Sequence, residues 1–221
     1  MTSPLNLQVR PAREDESDLI ADLVFGEPEQ ETTRVAMCLY GIDDADRARR
    51  LFRLLWKSGG NWRHSLLAVR NGAPVAVLQF GRSGFQMSPG LIARLIRIAG
   101  PIALLRMASR MRLNAKLSPA KPAGALIVSE LHVSPEARGM GIGAALLEHA
   151  EVEARRRGTA TLALQTLTTN PARHLYERSG FEVRATTSNK SFLQLTGCEG
   201  NVLMVKEIAA APALNGLEPS R

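Results

Sequence analysis

The sequence predicts a mixed α/β domain, an α+β arrangement in which the strands form one mixed sheet. Two apolar runs meet at Asn71 and Gly72, which is the strongest short-range signal of an antiparallel hairpin. Residues 126–167 follow instead the order strand, helix, strand, which is typical of a parallel crossover. The 221 residues contain no apolar run of the roughly 18 to 20 residues that a membrane-spanning helix requires. One domain with both kinds of strand pairing is therefore expected.

Hydrophobic periodicity and turn residues predict the elements in order. Alternation over Leu5–Ala12 predicts a first strand, and the acidic stretch behind it favours a helix that runs to about Phe25. A second helix is predicted over Asp43–Lys57, where apolar side chains recur at helical spacing until SGGN ends it. The remaining predictions are strands at 65–70 and 73–80, helices within 88–117, a strand at 126–133, a helix to about 157, a strand at 161–167, a short helix at 171–179, and strands near 181–185 and 201–208.

We expect a single domain over residues 1–208, a basic helical insertion at about 82–124, and a flexible tail at 209–221. The first residues, MTSPLNLQVRPARED, lack the basic stretch and apolar core of a secretory signal, which favours a cytoplasmic location. Cys38 and Cys198 are too few and too far apart for a zinc site or a disulfide framework. Free thiols and no metal are therefore expected.

The net charge of +7 is concentrated in the insertion. Between Gly81 and Ser129 there is no acidic residue, whereas the rest of the chain holds 20 basic and 21 acidic residues. The basic helices could form a lid over an acceptor, attract an acidic acceptor, nucleic acid or an anionic membrane, mediate dimerisation, or be a solvated face. A single aromatic residue, Phe85, argues against base stacking. The eight basic residues are Arg82, Arg94, Arg97, Arg106, Arg110, Arg112, Lys116 and Lys121.

The stretch RGMGIG, residues 138–143, follows a predicted strand and begins a predicted helix. Its backbone N–H groups are unobstructed by side chains, and Arg138 and the positive end of the helix add attraction for phosphate. Gly139, Gly141 and Ala144 also satisfy the dinucleotide pattern GxGxxA, but the next strand, TATLALQTL, lacks the acidic residue that holds a ribose. No GKS or GKT follows, so a Walker-type loop is excluded. The loop is expected to bind a phosphate group of another ligand.

The sequence resembles the Gcn5-related N-acetyltransferase (GNAT) superfamily in two stretches. ELHVSPEARGMGIGAALLEHA is similar to the acetyl-CoA-binding motif, and NPARHLYERSGFEV is similar to the second signature, a short helix that ends in Tyr, then a glycine and an aromatic residue. The resemblance covers about Leu5 to Ile208 and implies the GNAT acyl-CoA N-acyltransferase fold, here with a helical insertion between strands 3 and 4. It implies an enzyme that moves an acetyl group from acetyl-CoA to a primary amine in a ternary complex. A small-molecule acceptor is favoured over a protein.

The resemblance also implies the cofactor-binding residues. The main chain of Leu131 and Val133 pairs with the pantetheine arm, and the Val133 N–H group donates to the carbonyl oxygen of the acetyl group. The family's CoA-contacting Asn stands seven residues before the Tyr, whereas Asn170 stands six before Tyr176 and the seventh position is Thr169, so both are candidates. Asn170 is also a good helix cap. The pyrophosphate contacts implied for the loop are Arg138, Gly139, Met140, Gly141, Ile142 and Gly143.

The general acid and base are expected among three residues. Tyr176 matches the tyrosine that protonates the leaving thiolate, although such a tyrosine can instead only pack its ring beneath the helix. If Leu131 and Val133 face the core, Glu130 and His132 face the acceptor side together. Glu130 is the first choice for the base, acting through a water, and His132 is the alternative because its ordinary pKa is near neutral. Either can instead be a solvated strand residue.

Two other functions stay open on the sequence alone. One is a non-catalytic CoA-binding or regulatory module, and the other is binding of nucleic acid or a membrane surface through the basic insertion. The sequence offers no firm evidence for either macromolecular partner, and both a monomer and a homodimer are compatible with it.

Overall fold

The protein, seen in a computed structural model, is described here for residues 7–27, 29–81 and 88–208. Seven strands form one sheet in the order β1-β2-β3-β4-β5-β7-β6, and every neighbouring pair is antiparallel except β4 and β5. This confirms the predicted mixed sheet. The strands are β1 (Leu7–Pro11), β2 (Ser65–Arg70), β3 (Ala73–Phe80), β4 (Leu126–Val133), β5 (Thr161–Leu167), β6 (Glu182–Ser188) and β7 (Gly200–Glu207).

Two helices, α4 and α5, lie between β3 and β4, which confirms the helical insertion at this place in the fold. Residues 82–87 of the predicted insertion, the predicted tail at 209–221 and the first six residues lie outside the described part of the chain. The helices are α1 (Ser17–Phe25), α2 (Glu31–Tyr40), α3 (Ala45–Ser58), α4 (Pro89–Ala99), α5 (Pro101–Lys116), α6 (Ile142–Arg156), α7 (Arg173–Arg178) and α8 (Lys190–Thr196), and single 3-10 turns occur at Glu14–Glu16, Asn61–His64 and Pro135–Ala137.

Two helices were absent from the predictions, and the helix predicted as the second is α3. In α2 (ETTRVAMCLY), the β-branched residues Thr32, Thr33 and Val35 lower helix propensity, so packing of its buried side chains must stabilise it. The short α8 depends on one fully buried side chain, Phe192, and on the Asn189 side chain, which accepts the Phe192 N–H at 3.1 Å. Both helices are stabilised by tertiary contacts that local pattern does not reveal.

The β2–β3 hairpin has the predicted turn. Asn71 (φ 52°) and Gly72 (φ 81°) both lie in the left-handed region, between the paired residues Arg70 and Ala73. Two successive positive φ values are typical of the type I′ turn, whose twist matches that of antiparallel strands.

The helices cover the sheet on both faces and then form a further layer. On one face α6 packs against β3, β4 and β5, with Leu78, Leu146 and Leu164 in its core. On the other face α1 and α3 pack against β2 and β3. The inserted helices pack mainly against α2 and α3, through a core to which α4 contributes Leu91 and Leu95. The end of α5 also reaches the sheet, where Asn201 of β7 donates to Asn114 at 3.3 Å. The insertion is therefore an outer layer next to the helices that follow β1.

None of the helices within the described ranges is long and apolar enough to cross a membrane.

Candidate active site

Strand β4 separates from β5 halfway along its length. It pairs with β5 only over Leu126–Val128, opposite Leu162–Leu164, whereas it stays paired with β3 as far as Val133. The β3–β4 register shifts between Gln79 and Phe80, which leaves Ser129 as an extra residue in β4. Such a bulge bends the strand that carries it. The second half of β4 therefore has no strand beside it on the β5 side.

The backbone groups that face this gap belong to Leu131 and Val133. The Ser134 N–H group donates to the Val75 carbonyl at 2.9 Å, so Ser134 points its backbone groups toward β3. Because successive residues of a strand point their backbone groups to opposite edges, those of His132 face β3 and those of its two neighbours face the gap. An extended ligand arm can pair with this free edge as an added strand.

A cavity of about 680 Å³ lies at the gap. Its walls come from the second half of β4, the end of β5, helix α2 and the segment that leads into α7. The predicted site residues Thr169 and 139–143 are not among its lining residues. The structure brings the following predicted residues together on it: Glu130, Leu131, His132, Val133, Arg138, Asn170 and Tyr176.

The glycine loop beside this cavity has the geometry of an anion site. Gly139 (φ 75°) and Gly141 (φ 77°) both have conformations that L side chains rarely adopt, and no atom lies within 4 Å of a Cβ built on either. The first hydrogen bond of α6 joins the Ala145 N–H to the Gly141 carbonyl. The N–H groups of 142–144 therefore lack intrahelical acceptors and stand at the positive end of the helix. These residues fit a phosphate group.

Arg138 connects the loop to the strand. Its Nε atom donates to the Val133 carbonyl at 3.2 Å, and the side chain lines the cavity. A second guanidinium, that of Arg70, reaches the loop from the end of β2, with Nη1 at 2.9 Å from the Met140 sulfur. Sequence reasoning missed Arg70 because it is about seventy residues away in the chain and belongs to no motif.

Gly143 has a packing role. A Cβ atom there would lie 2.8 Å from Leu175 Cδ2, so the absence of a side chain lets the first turn of α6 approach α7. The last glycine of the loop thus positions the two helices that carry the two signatures.

Glu130 and His132 form a contacting pair on the face of β4 opposite α6. The His132 Nε2 atom lies 3.1 Å from Glu130 Oε2, and the two side chains are partly exposed, at 21% and 38%. The structure therefore has both side chains on the same face of β4, as predicted. His132 also lines a second cavity of about 490 Å³ that is bordered by α1 and by the segment after β4. His132 thus borders both cavities, whereas Glu130 lines the first.

Tyr176 is buried at the cavity wall. It is 6% exposed, and its ring stands edge-on to Phe181, with 6.1 Å between the centroids. Burial, and secondarily the charge of Glu130, raises the pKa of Tyr176 above its ordinary value. The phenol therefore stays protonated at neutral pH and can donate a proton.

Tyr40, the other tyrosine of the chain, lines the same cavity from the end of α2. Burial, followed by the charge of Glu130, raises the pKa of Tyr40 as well. Sequence reasoning assigned Tyr40 no role, because it lies in a helix that was not predicted and matches neither signature.

Asn170 and Thr169 are engaged with the protein itself. The Asn170 Oδ1 atom accepts the Ala172 N–H at 2.9 Å, and its Nδ2 donates to Thr166 Oγ1 at 2.7 Å. Because α7 begins at Arg173, Asn170 holds the turn before the helix and is not its N-cap. The Thr169 hydroxyl lies 3.4 Å from the Cys198 sulfur. Contacts of these two residues with CoA remain predictions.

The two cysteines are free, as expected. Cys198 is buried, and the Cys38 thiol donates to the Leu195 carbonyl at 2.8 Å. Within residues 7–27, 29–81 and 88–208, no group of three or more His, Cys, Asp or Glu side chains is placed to hold a metal ion.

Part of the chain that carries this site matches a known protein family. Residues 102–183 match the acetyltransferase (GNAT) domain family, and the matched range contains both signatures, the β4–β5 gap and the glycine loop. The match covers the central part of the chain, from the second inserted helix to the start of β6. The fold of the whole chain is similar to that of solved acetyltransferase structures. A Corynebacterium glutamicum structure described as histone acetyltransferase HPA2 and related acetyltransferase is 20% identical, with 94% of this chain and 99% of that chain covered and a TM-score of 0.59.

Two further relatives extend the comparison. The PaiA N-acetyltransferase from Thermoplasma acidophilum, solved in complex with coenzyme A, is 13% identical, with 92% of this chain and 99% of that chain covered and a TM-score of 0.54, which shows a shared fold. Streptothricin acetyltransferase from Streptomyces lavendulae is 44% identical over 57 residues, which are 25% of this chain and 30% of that protein. The match thus spans less than a third of that relative.

Proposed function

We propose that this protein transfers an acetyl group from acetyl-CoA to a primary amine of a small molecule, by direct attack in a ternary complex. The observation that carries the proposal is the free edge of β4 at Leu131 and Val133, which joins the glycine loop to the cavity holding Glu130 and Tyr176. When bound, acetyl-CoA supplies an activated thioester carbonyl. All other steps are assigned to side chains and backbone groups of the chain.

Binding of the cosubstrate is assigned to the main chain. The N–H groups from Arg138 to Gly143 hold the pyrophosphate, and the backbone of Leu131 and Val133 pairs with the pantetheine arm. The positive φ values and open space at the loop glycines support this assignment. Asn170 and Thr169 are retained as proposed contacts, of which Asn170 has the better position because it lines the cavity.

Proton transfer is assigned to the side chains around the cavity. Glu130 removes a proton from the acceptor ammonium, directly or through a water, and His132 at 3.1 Å is the alternative base or shares the proton. The Val133 N–H stabilises the negative charge that develops on the carbonyl oxygen, a contribution of roughly 10²-fold to 10³-fold in rate. Tyr176 donates the proton that the leaving thiolate requires, since a phenol is protonated at neutral pH and this one lines the cavity.

The charge of the cavity favours a cationic acceptor. Glu31 from α2 and Glu130 from β4 both line it, and Arg138, next to the phosphate loop, is the one Lys or Arg among the described residues of its lining. The cavity volume suits a small molecule. A cytoplasmic location, where acetyl-CoA is available, and a monomeric or homodimeric state belong to the proposal as predictions.

The experiment is a thiol-release assay with acetyl-CoA and a panel of polyamines, amino sugars and lysine-like amines. We expect turnover with amines that carry more than one positive charge. Glu130→Gln should lower kcat/KM for the amine by roughly 10²-fold or more, with unchanged CoA affinity, whereas Glu148→Gln, on the exposed face of α6, should leave it unchanged. Absence of CoA binding by calorimetry would contradict the proposal. Binding without turnover on the whole panel would favour the non-catalytic CoA-binding module.

A further inference from the structure

The inserted helices α4 and α5 expose large apolar side chains on both sides of the bend at Gly100. Ile92 and Ile96 of α4 are 38% and 43% exposed, and Ile102 and Leu105 of α5 are 67% and 76% exposed. Isolated exposed apolar residues are normal on a protein surface, but four within fourteen residues of one helical hairpin are a concentration that requires an explanation. We call the exposed side of α4 and α5 the outer face of the insertion.

A regular stripe runs along the outer face of α5. Ile102, Leu105, Ser109, Arg112 and Lys116 follow one another at intervals of three and four residues, and all five are exposed. Residues at this spacing share one side of an α-helix. The stripe is therefore apolar at the beginning of the helix and basic at its end.

The opposite side of α5 attaches the helix to the rest of the protein. Leu104, Met107 and Met111 pack into the core shared with α3 and α4, and Arg110 donates to the Cys38 carbonyl at the end of α2. A Cβ built on Gly41 would lie 3.1 Å from Arg106 Cβ, so α2 and α5 are in close contact there. The five stripe residues take no part in these contacts.

The outer face carries one sign of charge. From Ser88 to Ser129 the chain has seven basic residues and no acidic one, and five of the basic residues are exposed on the two helices. A positively charged surface that also exposes isoleucine and leucine is typical of segments that lie on anionic lipid, where the cations contact headgroups and the apolar side chains enter the acyl boundary. The five exposed cations are Arg94, Arg97, Arg106, Arg112 and Lys116.

We infer that the outer face of the insertion binds the surface of an anionic phospholipid membrane, with Ile102 and Leu105 inserted and Arg112 and Lys116 on the headgroups. A second copy of the chain is a poorer occupant. A two-fold contact would place the same cations of both copies against each other without an acidic partner in the segment. Nucleic acid is also a poorer occupant, because the segment from Ser88 to Ser129 contains no aromatic residue for stacking, and exposed isoleucines gain little from a phosphate backbone.

The experiment is co-sedimentation of the full chain with vesicles of phosphatidylcholine alone and of phosphatidylcholine mixed with phosphatidylglycerol. We expect binding to the mixed vesicles only, and weaker binding as salt is raised. The pair Ile102→Gln and Leu105→Gln, and separately the pair Arg112→Gln and Lys116→Gln, should each weaken this binding by about tenfold or more. The matched control is Val152→Gln on α6, a residue that is 62% exposed and far from the outer face in sequence; it should bind as the wild type does.

Three outcomes would overturn the inference. One is absence of binding to the anionic vesicles at low salt, which needs no variant and so does not depend on how a variant folds. Another is a dimer in light scattering that the Ile102→Gln and Leu105→Gln pair dissociates, since a second copy would then cover the face. The third is binding to duplex DNA that is tighter than binding to vesicles and is lost in the same variants. Thiol release without vesicles is expected to be equal in all variants. A failure of the membrane-binding inference is therefore distinguishable from a failure of the proposed enzyme activity.

Discussion

At the residue scale, two buried tyrosines line one cavity and both have a raised pKa, but they lie on different helices. Tyr176 belongs to the second GNAT signature and stands on α7, whereas Tyr40 ends α2, and burial raises the pKa of both phenols. Either hydroxyl could in principle donate a proton. The resemblance assigns the role to Tyr176, and a pair of matched substitutions separates the two.

Tyr176→Phe should lower kcat by roughly 10²-fold to 10⁴-fold, because general acid catalysis by the phenol is lost while the ring keeps its contact with Phe181. The KM for acetyl-CoA and the melting temperature should change little. Thiol release and thermal melting provide the measurements. Tyr40→Phe is the control, with a smaller effect expected on kcat. The reverse order of the two effects would make Tyr40 the acid.

A second prediction concerns Glu16, which holds the beginning of α1 in place. Its carboxylate accepts hydrogen bonds from Arg10 at 2.6 and 2.9 Å and from the Arg13 N–H at 2.8 Å, and its side chain is 10% exposed. The hydrogen bond from Arg10 is the largest cause that lowers the pKa of Glu16 to about 2. A carboxyl group whose folded pKa is depressed stabilises the protein above its ordinary pKa, and this contribution disappears as pH falls from about 4.5 to about 2.

Glu16→Gln should therefore lower the free energy of unfolding by about 3 kcal/mol at neutral pH. The difference from the wild type should shrink progressively below about pH 4.5. Urea unfolding at several pH values measures both quantities. The exposed neighbour Glu14, changed to Gln, is the control and should show no such dependence. A difference that stays constant down to pH 2 would contradict the assigned ion pair.

At the element scale, the first turn of α6 has to present free N–H groups and to pack closely against α7. The left-handed Gly141 and the close approach at Gly143 achieve these two results. Gly158, just beyond the other end of α6, has a similar φ of 71° and, like Gly141, no atom within 4 Å of a built Cβ. Substitution should therefore strain the backbone equally at Gly141 and Gly158, but only Gly141 lies in the proposed phosphate loop.

Gly141→Ala and Gly158→Ala should each lower the free energy of unfolding by about 1 kcal/mol, because alanine is strained in the left-handed region. Only Gly141→Ala should weaken CoA binding, which calorimetry measures, since its methyl group would stand where the phosphate is proposed to bind. Equal CoA affinities of the two variants would argue against the loop as the phosphate site.

At the scale of the whole molecule, the proposed CoA site joins β4, α6 and α7, so its occupation should stabilise the entire domain. At a CoA concentration of about 100 times Kd, the free energy of unfolding should rise by about 2.7 kcal/mol. For a chain of this size that corresponds to a rise in Tm of roughly 5 to 10 °C. The control is 3′-phospho-ADP, which lacks the pantetheine arm and should give a smaller shift. No shift with CoA would contradict binding in the β4–β5 gap.

Local sequence predicted much of this molecule. Hydrophobic alternation identified β2, β3, β4 and β5 at their observed bounds, and capping and breaking residues located α4 and α5. Parity along β4 was sufficient to predict that Glu130 and His132 share the face opposite Leu131. These features follow from φ, ψ preferences and side-chain periodicity, which act over a few residues.

Other features of the site could not be read in this way. The bulge at Ser129 and the short β4–β5 pairing depend on three strands at once. The position of Glu31 and Tyr40 on the cavity depends on α2, which is stabilised by packing against α5 and α8. Arg70 reaches the glycine loop only because β2 ends beside it.

The sequence by itself determined the mixed fold, the glycine loop and the strand that carries the proposed base, because motifs and periodicity are local. Only the tertiary structure decided which acidic and phenolic groups meet around the cleft, which side of the basic insertion is anchored and which is left exposed. Those properties arise from contacts between residues far apart in the chain, and their energies depend on burial, which a linear pattern does not contain.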